Sequence, residues 1–260
     1  MASSSTLSFA DEPWDWRKDT LWDFTYGARN LPVHYAEFFA QPETEKEIAN
    51  ISRELQAEAE TLPIYPLLED VFRALSCRQP KVVILAQDCY HQPSAKDEYT
   101  PLSAVGIAFG LPPGATYINP SLQSIHEEVA GGGFAVNPKS GNLSPWVDQG
   151  VVLLNSALTV PMSLPGRHIK IWSRFTELLI EYLSRKHRLV WLLWGRPAQS
   201  YESSILEPAK HCILRSSHPS PLSAAKPCGS SPPFLGSACF NRANTWLKAQ
   251  GHSPIDWSIA

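Results

Sequence analysis

The chain has 260 residues, 43% of them hydrophobic, and a formal net charge of −3, which allows one substantial core. No apolar run reaches the ~18 residues needed to span a bilayer, and the Met-Ala-Ser-Ser-Ser-Thr start lacks the basic flank and apolar stretch of a secretory signal. The five cysteines (Cys77, Cys89, Cys212, Cys228 and Cys239) are odd in number and form no CxxC pair, which argues against a disulfide framework, a zinc site or an iron–sulfur cluster and for reduced thiols in nucleus or cytoplasm.

Residues 1–12 read as a flexible polar arm, and residues 13–260 as one domain. Charge is spread unevenly: residues 1–75 carry 14 acidic and six basic side chains, residues 76–260 carry 11 and 16. Two ordinary solvated surfaces would give this pattern, and so would an anionic ligand met by the later part of the chain. A helix is predicted over Thr44–Glu60, with Thr44 and Glu47 spaced as a capping box and Leu62-Pro63 as its stop. A short helix is predicted over Tyr65–Leu75. Four short apolar runs follow, Val82–Leu85, Val151–Leu154, Leu189–Trp194 and Cys212–Ser216, of the kind that suits strands buried on both faces. Helices are predicted over Ser121–Val129, over Trp172–Leu183 with its apolar stripe, and over Phe240–Gln250, stopped by Gly251.

Strands alternating with helices predict an α/β fold: a single domain with a central, mostly parallel four-stranded sheet flanked by helices on both faces. In such folds ligands bind beyond the carboxyl ends of the strands. The four runs are followed by Ala86-Gln87-Asp88-Cys89-Tyr90-His91, by Asn155-Ser156, by Gly195-Arg196-Pro197 and by His218-Pro219-Ser220-Pro221-Leu222-Ser223. All four successors are polar or turn-forming and converge on one rim.

That rim carries chemistry. A carboxylate such as Asp88 activates water or stabilises a developing cation, although an Asp after a strand equally serves as a helix N-cap. His218 can donate to a developing oxyanion, or be a loop histidine with no chemistry. The Asn155 amide matches a lactam edge, or satisfies backbone groups at a strand end. Phe109 offers an aromatic face to a planar ring, or belongs to the core. Gly131-Gly132-Gly133 lacks the lysine and preceding strand of a phosphate loop, and no GxSxG elbow, metal triad or dinucleotide fingerprint is present.

The motifs, taken in order, carry a family resemblance. Ala86-Gln87-Asp88-Cys89-Tyr90-His91 resembles the Gly-Gln-Asp-Pro-Tyr-His water-activating loop of family 1 uracil-DNA glycosylases. His218-Pro219-Ser220-Pro221-Leu222-Ser223 matches that family's minor-groove leucine loop without a change. The run from Gly150 through Asn155 to Val160 is similar to its uracil-reading strand, Leu193-Trp194-Gly195 to the start of its phosphate loop, and Pro254-Ile255-Asp256-Trp257 to its C-terminal ending. The resemblance spans roughly Ile64 to Trp257.

The resemblance implies an enzyme without cofactor or metal that releases uracil from single- and double-stranded DNA and leaves an abasic site. It implies that Asp88 orients water and offsets sugar charge, and that the Gln87 backbone and His218 stabilise the uracil O2. Asn155 reads O4 and N3, Tyr90 excludes the thymine methyl, and Phe109 stacks. Leu222 enters the base stack, while Pro120, Ser121, Gly195, Arg196, Ser220, Pro221 and Ser223 contact the DNA backbone. It also implies a monomer, no membrane, and a DNA-mimicking protein inhibitor as a partner.

This chain departs from the family pattern at several points. Ala86 replaces a glycine, Cys89 a proline, and Arg196 the serine that follows Gly195. The segments 92–105 and 224–236 are longer, and the second reads either as a floppy excursion or as a DNA-facing arm. These departures keep two rivals in view: a catalytically impaired DNA-binding scaffold, and a glycosylase of altered base preference.

Overall fold

A computed structural model describes residues 14–28, 30–91, 104–115 and 117–260. The expected arm at 1–12 and most of the 92–105 insertion lie outside the described residues. In chain order the regular elements are α1 (Ala36–Phe39), α2 (Pro42–Ala59), β1 (Ile64–Tyr65), β2 (Val82–Asp88), α3 (Pro120–Gly131), α4 (Ser144–Asp148), β3 (Val151–Ala157), β4 (Val160–Pro161), α5 (Ile169–Lys186), β5 (Val190–Trp194), α6 (Gly195–Gln199), β6 (Cys212–Ser216) and α7 (Cys239–Ala249).

The four apolar runs are the four strands of one sheet, in the order β3-β2-β5-β6, and every pairing is parallel. Val82 pairs with both Val151 and Val190, and Val190 with Cys212. Aligned starts bring the carboxyl ends to one level, so Asp88, Asn155, Gly195 and His218 meet at one edge. β3 is buried along its whole length, while β6, at the opposite edge, leaves Arg215 exposed. The two-residue strands β1 and β4 form a separate antiparallel pair.

Helices cover the sheet because strands apolar on both faces need two apolar layers. The α2–α5 side holds an aromatic nest in which the Phe175 ring lies 5.3 Å from Trp172, 5.5 Å from Phe38 and 6.1 Å from both Phe39 and Phe72. Phe175 is fully buried, so its truncation to Ala costs about 3–5 kcal/mol. A second nest joins Trp146, Phe240 and Trp257, with Trp257 at 5.0 and 4.9 Å from the other two. No helix among the described residues is long and apolar enough to cross a membrane.

Two local expectations need correction. α2 starts at Pro42 with Gln41 as its N-cap, because a proline at the first helical position has the right φ already. Thr44 therefore lies inside the first turn, buried and without a capping hydrogen bond, and the capping box does not form. The helix expected over Tyr65–Leu75 is instead strand β1 followed by two 3-10 turns, Leu68–Asp70 and Arg73–Ser76. Pro66 biases Tyr65 to extended backbone and supplies no helical donor. The segment 224–236 is no floppy excursion. Its Cys228–Ser231 bridge, the Ser217 N–H on the Pro232 carbonyl at 2.9 Å and the fully buried Phe234 ring pin it beside β6.

Candidate active site

At the carboxyl edge of the sheet a cavity of about 300 Å³ is lined by Ala86, Gln87, Asp88, Cys89, Tyr90, His91, Phe109, Ser121, Asn155, Pro165 and His218. Seven residues singled out from the sequence, Gln87, Asp88, Tyr90, Phe109, Ser121, Asn155 and His218, thus meet around one space. β2 delivers Ala86 to Asp88, with Ala86 in register opposite Asn155 of β3. Ala86 has no positive φ, so its Cβ sits in ordinary strand geometry.

Asp88 ends β2, and no described helix starts behind it, so it is not an N-cap. Its Oδ2 accepts the Gly166 N–H at 2.5 Å. One carboxylate oxygen is thus held by the loop after β4. That loop is itself anchored: the Trp172 indole donates to Thr159 Oγ1 at 2.7 Å, Thr159 Oγ1 meets His168 Nδ1 at 2.8 Å, and His168 Nε2 meets a Glu58 oxygen at 2.8 Å. The Glu58 carboxylate only accepts, so the neutral imidazole carries its proton on Nε2 and takes the Thr159 hydroxyl proton at Nδ1. Burial lowers the His168 pKa against the pull of Glu58. Sequence reading missed Gly166, His168 and Glu58. Pro165-Gly166 was visible as a turn signal, but nothing in the sequence ties Glu58 to it.

Asn155 is buried on β3. Its Nδ2 donates to Cys89 Sγ at 3.2 Å, and its Oδ1 has no partner among the described residues. The amide therefore does not serve the strand-end backbone. The Cys89 thiol is buried and donates to the Leu158 carbonyl at 3.3 Å. Burial, with the nearby Asp88 charge adding to it, pushes its pKa up to about 12, against the Asn155 hydrogen bond, so it stays a neutral thiol.

His218 follows β6. The Ser220 N–H donates to its Nδ1 at 3.0 Å, so the neutral ring carries its proton on Nε2. Burial lowers the pKa of this histidine, with Asp88 pulling the other way. Gly195 is what lets the ring sit there: its φ is +83°, and a Cβ at Gly195 would lie 2.9 Å from the His218 Cβ.

Phe109 is 9% exposed and belongs to the core as well as to the cavity wall. Its ring lies 5.9 Å from that of His218 and 5.5 Å from that of Trp194. It carries φ +62°, a region that a bulky side chain occupies only when its surroundings force it. The force comes from both sides, as the Ala108 N–H bonds the Leu153 carbonyl at 3.0 Å and the Tyr90 hydroxyl bonds the Phe109 carbonyl at 2.9 Å. Burial raises the Tyr90 pKa well above the ordinary phenol value.

The remaining singled-out residues surround the cavity without lining it. Leu222 is 83% exposed beside the exposed Pro221. Ser220 and Ser223 share a hydroxyl–hydroxyl bond of 2.9 Å, and Ser223 Oγ donates to the His218 carbonyl at 2.9 Å. Pro120 opens α3. Arg196 is exposed in the first turn of α6. Glu128, which the sequence did not flag, caps the approach to α7 by accepting the Gly236 and Ala238 N–H groups at 2.6 and 2.7 Å.

A carboxylate, a neutral imidazole donor, a buried amide and an aromatic face thus surround a space large enough for a planar base. Comparison with known proteins points to one family. A family model described as the uracil DNA glycosylase superfamily matches residues 73–248. A uracil-DNA glycosylase from Pseudomonas aeruginosa (strain UCBPP-PA14) is 37% identical over 217 residues, which cover 82% of this chain and 87% of the relative. One from Desulfitobacterium hafniense (strain DCB-2) is 40% identical over 214 residues, covering 80% and 88%. Among solved structures, mimivirus uracil-DNA glycosylase aligns with a TM-score of 0.81 at 26% identity over 97% of both chains. A mimivirus UNG variant in complex with UGI gives 0.79 at 27% identity over 92% and 95%.

Proposed function

The chain belongs to the uracil DNA glycosylase superfamily, and from that premise we propose that it is a family 1 enzyme whose cavity receives a deoxyuridine flipped out of DNA. It is a monofunctional DNA glycosylase that hydrolyses the N-glycosyl bond of deoxyuridine, releasing uracil and leaving an abasic site. Residues 13–260 act as one catalytic domain and as a monomer, since every proposed group comes from one chain. All five cysteines are free thiols, which suits the nucleus or cytoplasm.

The geometry of the cavity supports the following division of labour. Asn155 Oδ1 accepts N3–H of uracil and its Nδ2 donates to O4. Phe109 covers one ring face, and Tyr90 stands against C5, where a thymine methyl would clash. As the bond from N1 to the sugar breaks, its electron pair goes to the base. Negative charge grows on O2, where the Nε2–H of His218 and the Gln87 backbone meet it. Positive charge grows on the sugar, where the Asp88 carboxylate offsets it and orients the water that adds to C1′. Because Nδ1 of His218 is already occupied by the Ser220 N–H, the donor is a neutral imidazole fixed in orientation before substrate arrives.

Outside the cavity, Leu222 fills the gap left by the flipped nucleotide. Pro120, Ser121, Gly195, Arg196, Ser220, Pro221 and Ser223 hold the phosphates on either side. A protein inhibitor that mimics DNA is a further partner of this reading, and a mimivirus UNG variant has been solved in complex with UGI.

The observation that carries this reading is the meeting of Asp88, Asn155 and a His218 protonated on Nε2 around one cavity. The test is uracil release from a single-stranded oligonucleotide with one deoxyuridine, in EDTA, by wild type and Asp88→Asn. We expect release by the wild type and a loss of about 10²–10⁴-fold in the variant, with DNA affinity much less affected. Equal release by both would remove Asp88 from the chemistry. Retained DNA binding with no release by either would favour a scaffold.

A further inference from the structure

We propose that Cys89 is a positioning residue for base recognition: its thiol fixes which end of the Asn155 amide faces the bound base, and so favours uracil over cytosine. The inference rests on the reading of the cavity as a uracil site and adds a residue to it. Where the family motif has proline, this chain places a thiol in hydrogen-bond distance of the reading amide. A proline side chain there has neither proton nor lone pair to offer.

The argument is one of donors and acceptors. An asparagine amide rotated by 180° occupies the same space with its oxygen and nitrogen exchanged, so shape alone does not choose between the two states. In one state the amide offers Oδ1 to N3–H and an Nδ2 hydrogen to O4, which matches uracil. In the other it offers Oδ1 to an exocyclic amino group and an Nδ2 hydrogen to a bare N3, which matches cytosine. The choice is therefore a specificity decision, and it is made by whatever touches the amide from behind.

Cys89 touches it. Sγ has one proton, which goes to the Leu158 carbonyl at 3.3 Å, with the Ala157 carbonyl 3.8 Å away. What the sulfur turns toward Asn155 is a lone pair, and a lone pair takes an N–H. Nδ2 sits 3.2 Å from Sγ. Rotating the amide would set Oδ1 against that lone pair, or force the thiol to abandon the Leu158 carbonyl. Oδ1 has no partner of its own among the described residues, so it is free for N3–H, and the second Nδ2 hydrogen is free for O4. Asn155 is 5% exposed and Cys89 7% exposed, so bulk water does not compete for the contact.

The test compares wild type, Cys89→Ala and Cys89→Ser by two readouts. The first is solvent exchange of the Asn155 side-chain amide hydrogens, followed by NMR on the ¹⁵N-labelled protein without DNA. We expect exchange to be at least about fivefold faster in Cys89→Ala, the fold-change that corresponds to one hydrogen bond of about 1 kcal/mol. In Cys89→Ser it should return toward the wild-type rate, because the hydroxyl keeps a proton and lone pairs. Ala and Ser are of similar size, so the pair separates the hydrogen bond from packing. The second readout is the ratio of inhibition constants for free uracil and free cytosine, which should narrow by about fivefold in Cys89→Ala and recover in Cys89→Ser. Unchanged exchange in Cys89→Ala, or an equal effect of Ala and Ser, overturns the proposal. Absence of uracil release by the wild type would instead count against the enzyme reading, and the exchange readout would still decide the role of Cys89.

Discussion

The floor of the cavity and the loop above it are held in opposite ways. On the floor, Asn155 and Cys89 are buried and Asp88 completes β2, so their positions follow from strand register. On the loop, Leu222 is 83% exposed and the chain is tied by hydroxyls: Ser217 Oγ to the Ser223 carbonyl, Ser220 to Ser223, and Ser223 Oγ to the His218 carbonyl, all at 2.9 Å. A hydroxyl is both donor and acceptor and turns freely, so the Ser220 hydroxyl can exchange that of Ser223 for a phosphate oxygen. The difference teaches a division of tasks. On the proposed reading, base identity falls to buried groups and DNA shape to groups whose partners are replaceable. His218 belongs to both regions, since its Nδ1 is tied to the loop at Ser220 and its ring lines the floor.

The largest effect short of removing Asp88 should come from breaking that joint. Gly195→Ala adds a Cβ 2.9 Å from the His218 Cβ, at a φ of +83°. The backbone conformation alone costs an L-residue about 1–2 kcal/mol, and His218 must shift from its place. A misplacement of this kind lowers turnover by about 100-fold, while the melting temperature should fall by only a few degrees. Single-turnover uracil release checks this. Wild-type turnover in Gly195→Ala would mean that the loop and the floor are not joined through His218.

A smaller effect is expected at the tip of the loop. Leu222→Ala removes an exposed side chain, so it leaves stability unchanged. Extrusion from a duplex costs a few kcal/mol and much less from a single strand. Activity on double-stranded DNA should therefore fall by about tenfold and on single-stranded DNA by about threefold or less. Equal losses on the two substrates would make Leu222 a general contact and blur the line drawn between reading and DNA accommodation.

How far the sequence revealed these two regions differs as well. The sheet was legible because the Val82–Leu85 and Val151–Leu154 runs are apolar on both faces, and Asp88, Asn155 and His218 were legible because they directly follow such runs. Phe109 was harder to place: it arrives from a segment outside the sheet, fixed by the Ala108–Leu153 bond and by Gly106, where a Cβ would lie 1.8 Å from the Asp70 carbonyl oxygen. The supports of the floor were not legible at all. Gly166 reaches Asp88 across 78 residues and His168 reaches Glu58 across 110, and no local pattern announces contacts of that range. Thr44 shows the converse, since its local capping pattern lost to a proline two residues earlier and to burial.

The smallest effect distinguishes the two regions by pH. Burial holds both His168 and His218 below the ordinary histidine value of about 6.5. Between that value and their lowered ones, the unfolded chain carries protons that the folded chain does not. Unfolding then takes up protons, so stability rises with pH across this window and is lost as pH falls through it, by at most about 1.4 kcal/mol per pH unit for each histidine. The consequences for function differ. A proton on His218 Nδ1 confronts the Ser220 N–H, so it disturbs the loop and the donor together, and kcat/KM should fall on the acid side below the ordinary histidine range. A proton on His168 Nδ1 displaces the Thr159 hydroxyl proton, yet leaves Nε2 donating to Glu58, so it loosens the floor from behind without touching the base. Urea melts at several pH values, run beside uracil release, test the distinction. His168→Gln should flatten the pH dependence of stability while the acid limb of kcat/KM stays in place. An acid limb that shifts with His168→Gln would show that the floor, and not the loop, sets the pH response of the reaction.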